Sequence, residues 1–214
     1  MSTIFVAIAG GSASGKTTFA AELRQALQDG APPVSVDVIG MDRYFYRGAP
    51  GGPTFVSPAT GEVLPDNNHP ESADNDKLLA DLDAMAADDS AAEVVLVEGL
   101  MALHVAQLRR RFDLRIYVEL EDDLRALRRL LRDMRGGRGS TDPAWIATYY
   151  RECARAGHTL YVEPSRVHAD LIIRGDGDFG RTAALAAACV RERLRSVMAA
   201  GQPAGRAGTV APEA

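Results

Sequence analysis

Five short runs of β-branched and other apolar residues, at 4–9, 34–39, 94–97, 114–118 and 171–173, punctuate the chain and predict strands. Between them lie stretches with helical periodicity. The first, 15–29, carries Phe19, Leu23 and Leu27 at i, i+4 and i+8 and stops at Gly30 and Pro32, as an amphipathic helix does. The same reading predicts helices over 74–87, 100–111, 122–134, 144–156 and 181–199. Near-continuous apolar strands alternating with helices imply a parallel sheet, because parallel strands need crossover connections that cover both faces. The expected fold class is therefore α/β, a five-stranded parallel sheet with helices on both faces.

Two stretches break the pattern. Residues 47–69 are rich in Gly, Pro, Asn and Thr and show no periodicity. Connections of that length are usually functional or disordered. Residues 135–141, Arg-Gly-Gly-Arg-Gly-Ser-Thr, lie between two helices and read as a mobile tip. The stretch 201–214 has little to bury and reads as a disordered tail, leaving 1–200 as one domain.

Composition removes several function classes. No segment of the 214 residues nears the roughly 18 apolar residues of a membrane span. The first residues, MSTIFVAIAGG, lack the layout of a secretory signal. Cys153 and Cys189 sit far apart without a CxxC or Cys/His spacing, so neither a disulfide framework nor zinc is indicated and a cytoplasmic location is expected. Each fits a small buried hydrophobe on a helix. A net charge of −5 argues against nucleic-acid or anionic-membrane partners. Of the 24 cationic residues only Lys16 and Lys77 are lysines.

One of the two falls in a motif. The first predicted strand runs into Gly10-Gly11-Ser12-Ala13-Ser14-Gly15-Lys16-Thr17-Thr18, which satisfies G-x-x-x-x-G-K-[ST], the Walker A pattern, and a helix follows at once. The glycines let the backbone wrap a phosphate chain while successive N–H groups and the helix N-terminus direct partial positive charge at it. Lys16 is placed to reach the β- and γ-phosphates, and the Thr17 hydroxyl to hold magnesium. Strand, loop and helix together predict a P-loop NTPase fold that binds a nucleotide. Lys77, on a polar helix, reads as a surface residue.

The second predicted strand ends at Gly40-Met41-Asp42, and residues just beyond the carboxyl ends of such strands line the ligand crevice. Asp42 can take a proton from an attacking hydroxyl, hold magnesium through water, or simply cap a turn. Tyr44, Phe45 and Tyr46 either wall a pocket or pack beneath the long loop.

Several weaker motifs follow in order: Met41-Asp-Arg-Tyr-Phe45, Asp66-Asn-Asn-His-Pro-Glu-Ser-Ala-Asp74, Val94-Val-Leu-Val-Glu-Gly99, Arg125-Ala-Leu-Arg-Arg-Leu-Leu-Arg-Asp133 and Tyr161-Val-Glu-Pro-Ser165 with Ala169-Asp-Leu-Ile-Ile173. Together with the phosphate loop they resemble the uridine kinase family of P-loop kinases, relatives of phosphoribulokinase and pantothenate kinase, over residues 3–195. The resemblance implies transfer of the γ-phosphate of ATP, with magnesium, to a hydroxyl of a small molecule. It assigns the base to Asp42, a magnesium-associated carboxylate to Glu98, and a closing lid over about 125–142 whose arginines include Arg128, Arg129, Arg132 and, at the tip, Arg138. Arg125, Arg128 and Arg132 lie three and four apart, so one helix face is expected to present a fork of guanidinium groups. A solvated face paired with Glu121, Asp122, Asp123 and Asp133 is the alternative. Homo-oligomerisation is left open.

The acceptor side, about 43–74, departs from the family pattern N-F-D-H-P-D-A-F-D. Asn68 stands where the family has a ribose-binding aspartate, and Asn67 replaces an aromatic ring. The family's β-hairpin with its Y-D-F pattern has no counterpart between Asp74 and Val94. Tyr44, Asn68, His69 and Arg138 are the expected acceptor contacts, His69 either touching the acceptor or locking its loop. His104, His158 and His168 read as structural or surface residues. A nucleoside or related compound is the expected acceptor; a sugar, sugar phosphate or pantothenate-like alcohol is the alternative. A nucleotide-binding regulator without an acceptor is a rival reading, against which stands the absence of an N-K-x-D guanine signature.

Overall fold

The computed structural model describes residues 3–46, 52–136 and 140–201. All five predicted strands are present: β1 (Ile4–Gly10), β2 (Val36–Gly40), β5 (Val94–Glu98), β6 (Leu114–Glu119) and β7 (Leu171–Arg174). They form one parallel sheet in the order β2-β5-β1-β6-β7. The chain is thus an α/β protein with a five-stranded parallel sheet.

The apolar strands fill two cores. Along β1, Ile4, Val6 and Ile8 point to one face, against Phe19, Leu23 and Leu27 of α1 (Lys16–Gln28) and Ala183, Ala186 and Val190 of α7 (Phe179–Gly201). Phe5, Ala7 and Ala9 point to the other, against Leu78 and Leu82 of α2 (Asn75–Ala87) and Leu108 of α3 (Ala106–Arg109). Strict alternation on a strand buried from both sides explains why the run shows no polar position.

Three elements differ from expectation. The stretch 47–69 contains an antiparallel hairpin, β3 (Thr54–Val56) and β4 (Val63–Pro65), turned at Gly61 with φ +73°. Its inward residues are Phe55 and Leu64, paired across the hairpin, so the alternation spans too few residues to stand out. The helix expected over 100–111 is reduced to α3, because the carbonyls of Leu103 and His104 are taken by the Arg109 guanidinium rather than by a continuing helix. The helix expected over 144–156 instead runs on. It starts at α5 (Pro143–Tyr149), whose first N–H groups are capped by Asp142, passes through a wider turn at Tyr150–Ala154 into α6 (Arg155–Gly157), and continues as helical turns to His168. Between α2 and β5 there is a link and no hairpin, as the sequence implies.

Cys153 is buried as expected, but Cys189 lies exposed on α7. Lys77 is a surface residue, 3.7 Å from Asp81. Among the described residues no helix is long and apolar enough to cross a membrane. Arg138 and residues 202–214 lie outside the described residues.

Candidate active site

The first turn of α1 needs partners that its own sequence does not provide. Gly15 stands at its N-cap with φ +105° and no capping side chain, and the turn holds no acidic residue. Its leading N–H groups therefore face the loop as an anion-binding end. The loop bends back through Ala13, the only described non-glycine at positive φ (63°). Within the loop the Ser14 N–H donates to the Gly11 carbonyl at 3.1 Å, and the Lys16 ammonium rests on that same carbonyl at 2.9 Å. Lys16 is thus buried over the loop, where a phosphate oxygen can replace the carbonyl as its acceptor.

Strand order brings the carboxylates to it. β2, β5 and β1 are neighbours, and in register Gly40 faces Glu98, which faces Ile8. Glu98 therefore ends beside the start of the loop, and Thr17 Oγ1 donates to Glu98 Oε1 at 3.1 Å. Asp42 follows two residues beyond Gly40 in a short turn, Met41–Tyr44. A cavity of about 400 Å³ is lined by Lys16, Thr17, Asp42, Glu98, Arg128 and Arg132, together with Ser12, Ala13, Gly15 and Thr18 of the loop. Gly10, Gly11 and Ser14 shape the loop from behind it.

The arginine helix α4 (Asp122–Met134) is divided among three tasks, not presented as one fork. Arg128 and Arg132 line the cavity; Arg128 Nη1 donates to the Gly175 carbonyl at 2.8 Å, and Arg132 Nε to Asp133 at 2.8 Å. Arg132 Nη2 is buried without a hydrogen-bond partner among the described residues, a donor suited to an anionic ligand. Arg129 lies deeper, reaching Ser12 Oγ at 3.4 Å with its guanidinium over the Tyr149 ring, 5.4 Å from the centroid. Burial lowers its pKa from the ordinary arginine value. Arg125 is enclosed beneath the loop, away from the cavity.

The acceptor residues expected from sequence stand differently. Tyr44 is buried in the second core, and its hydroxyl donates to Asp81 at 2.8 Å; burial and then that bond push its pKa up to about 12. It anchors the Asp42 turn and does not line the cavity. Asn68 is buried as well, its amide directed at Cys153 Sγ (3.2 Å) and the Tyr149 hydroxyl (3.5 Å). Cys153 in turn donates to Asp66 at 3.1 Å, and burial pushes its thiol up to about 12. His69 caps the turn at Pro70–Ser72 by accepting the Glu71 N–H, with its ring edge-on to Tyr161. These two residues organise the acceptor-side segment and neither lines the cavity.

The far wall is built from residues that no sequence motif marks. Gly175, Asp176 and Gly177 after β7, with Phe179 at the start of α7, close the cavity opposite Asp42. The Phe179 ring packs edge-on against Phe19 and leaves no room for a Cβ at Gly15. The two glycines in Arg174-Gly-Asp-Gly177 are the one local signal of a close backbone approach there.

The described residues contain no group of three or more His, Cys, Asp or Glu side chains arranged to hold a metal. Magnesium does not require one, since it typically takes one or two protein oxygens beside phosphate oxygens and water. Thr17 and Glu98, already paired, with Asp42 on the same cavity, fit that pattern.

Comparison with known proteins agrees with this geometry. Residues 70–178 match the model of the phosphoribulokinase / uridine kinase family. A uridine kinase of Chloroflexus aurantiacus is 32% identical over 195 residues, covering 81% of this chain and 88% of the relative. One from Brevibacillus brevis is 29% identical over 201 residues, covering 84% and 88%. In fold, the chain is similar to a solved protein from Silicibacter sp. TM1040 named as a candidate fructose transport system kinase (TM-score 0.62, 21% identity, 80% of this chain and 89% of that one). It is also similar to a possible uridine kinase from Bacillus stearothermophilus (TM-score 0.52, 17% identity, 81% and 89%).

Proposed function

Because the chain belongs to the phosphoribulokinase / uridine kinase family, we propose that it is a uridine kinase-like, ATP-dependent kinase that passes the γ-phosphate to a hydroxyl of a small molecule, a nucleoside or related compound. One observation carries the reading: a phosphate loop with its lysine, two strand-end carboxylates and two helix arginines converge on a single cavity. Phosphoryl transfer needs mainly positioning and charge on the moving group. The loop N–H groups and Lys16 hold the phosphates. Asp42 accepts the proton of the attacking hydroxyl. Arg128 and Arg132 meet charge that develops on the phosphoryl oxygens. Thr17, Glu98 and Asp42 would hold magnesium, which supplies charge neutralisation between the phosphates. Two free cysteines and the absence of a membrane-crossing helix among the described residues suit a cytoplasmic enzyme.

A specific observation favours an acceptor other than uridine. The Asn68 amide nitrogen donates to Tyr149 and Cys153, and a Cβ on Gly157 would collide with the Asn68 backbone and side chain. A residue so packed keeps the acceptor segment in place instead of gripping a ribose. A sugar, a sugar phosphate or a pantothenate-like alcohol is the second reading. The test is ADP release from ATP and magnesium with a panel of nucleosides, sugars, sugar phosphates and pantothenate. Acceptor-dependent turnover by any of them identifies the class. Tight ATP binding with no acceptor-dependent ADP anywhere in the panel would instead indicate a nucleotide-binding regulator.

A further inference from the structure

Arg125 is the largest fully enclosed side chain among the described residues, 1% exposed, and the chemistry above does not use it. Its Nε donates to the Leu120 carbonyl at 3.1 Å and its Nη2 pairs with Asp122, which fixes the guanidinium plane at the start of α4. The edge of that plane lies directly behind Gly11. A Cβ on Gly11 would sit 2.6 Å from Arg125 Nη1 and 2.9 Å from its Cδ and Cζ, so the loop and the guanidinium share a surface that only glycine permits. Gly11 is also the residue whose carbonyl carries Lys16. An apolar side chain of equal length could fill the space, but arginine also brings a charge, held on a planar group fixed by Leu120 O and Asp122, to a place where salt screens it little.

We propose that Arg125 is a positioning residue for the phosphate loop. It backs Gly11, sets where the Gly11 carbonyl holds the Lys16 ammonium, and places a positive charge behind the loop without touching the phosphates. The proposal rests on the nucleotide-site reading above and concerns the loop alone, so it is tested on ATP binding without acceptor.

The experiment measures the calorimetric Kd for ATP with magnesium, for the wild type, Arg125→Gln, Arg125→Lys, Gly11→Ala and the Gly11→Ala/Arg125→Gln double variant. Each is measured well below its own melting temperature, which is recorded in parallel. Arg125→Gln is expected to weaken ATP about tenfold or more, with Arg125→Lys recovering part of the loss because the charge remains. Gly11→Ala is expected to weaken it similarly. The double variant should lose less than the product of the two single losses, by about threefold or more, since the shorter side chain makes room for the methyl. An Arg125→Gln protein that melts early yet binds ATP within about twofold of wild type would overturn the proposal and leave Arg125 as an anchor of α4 only. If Arg125→Gln does not fold, Gly11→Ala decides, because affinity within about twofold of wild type overturns the proposal equally. A wild type that binds no ATP would remove the nucleotide-site reading and this inference with it, an outcome distinct from normal wild-type binding with unaffected variants.

Discussion

Replacing Asp42 by asparagine tests the proposed chemistry with the least structural disturbance. The turn that carries Asp42 is anchored on both sides: Met41 and Tyr44 are buried, and the Tyr44 hydroxyl is tied to Asp81. Asp42 itself is only half-buried, and an amide keeps its shape, so folding stability should change by no more than about 0.5 kcal/mol. What the substitution removes is the ability to take a proton. A positioned general base contributes on the order of 10²- to 10⁴-fold, equivalent to about 3–5 kcal/mol of barrier. The assay is initial-rate ADP formation at saturating acceptor, with ATP varied, beside a calorimetric Kd for ATP. The expected result is kcat reduced by about 10²-fold or more with the ATP Kd within about threefold. A kcat within about tenfold of wild type would refute the role of base. A large loss of ATP affinity with a modest loss of kcat would reassign Asp42 to holding magnesium.

Gly15→Ala forces a side chain into φ +105° and sets its Cβ 2.7 Å from the Phe179 ring; a stability loss of about 1–3 kcal/mol and loss of ATP binding are expected, and a variant that melts with the wild type would contradict the loop geometry. Burial, and then the Arg125 guanidinium, hold the pKa of His158 below its ordinary value, against the opposing pull of Asp122 and Glu163. The unfolded chain, titrating near about 6.5, therefore binds the proton first, so this contribution to stability is complete above that pH and is lost as pH falls below it. His158→Gln should flatten the acid-side fall in Tm between about pH 6.5 and 5, and identical slopes in the two proteins would refute the assignment. A disulfide-exchange reagent at about pH 8 should react in the native protein with exposed Cys189 and spare Cys153, whose thiol is pushed up to about 12, and should reach both after unfolding; rapid native reaction of Cys153 would contradict its burial.

What the sequence could reveal followed from how local each signal is. The strands and the loop Gly10–Thr18 are specified by neighbours within a few residues, and Asp42 and Glu98 follow because parallel strands deliver their carboxyl ends to one edge. The hairpin β3–β4 is not legible in the sequence because three residues per strand give one inward side chain each. The network around Asn68 joins residues 81 and 85 positions away in sequence, Tyr149 and Cys153, and no periodicity announces it. The wall at 175–179 was hidden for the same reason: its relation to Gly15 exists only once β7 and α7 have packed beside α1.

Helix α4 shows where hydrophobic patterning misleads even about a helix it locates correctly. Its boundaries match the prediction, yet Leu127, Leu131 and Met134 are 57%, 54% and 45% exposed, while Arg125 and Asp133 are buried and Arg129 is mostly so. The usual rule that the apolar stripe faces the core is inverted. The reversal suits the anion site proposed above. Arginines turned inward are costly unless something anionic or a carbonyl meets each of them, and here Leu120 O and Asp122 meet Arg125 and Asp133 meets Arg129 and Arg132, while Arg128, exposed along the cavity, reaches Gly175 O. Two buried donors of these arginines are left without a hydrogen bond, Arg129 Nε and Arg132 Nη2, and Arg132 belongs to the wall of the cavity where the proposed phosphate chain would sit. Under the proposed function the helix is patterned for a ligand as well as for its packing, and its sequence becomes intelligible when the phosphate loop beside it is taken into account.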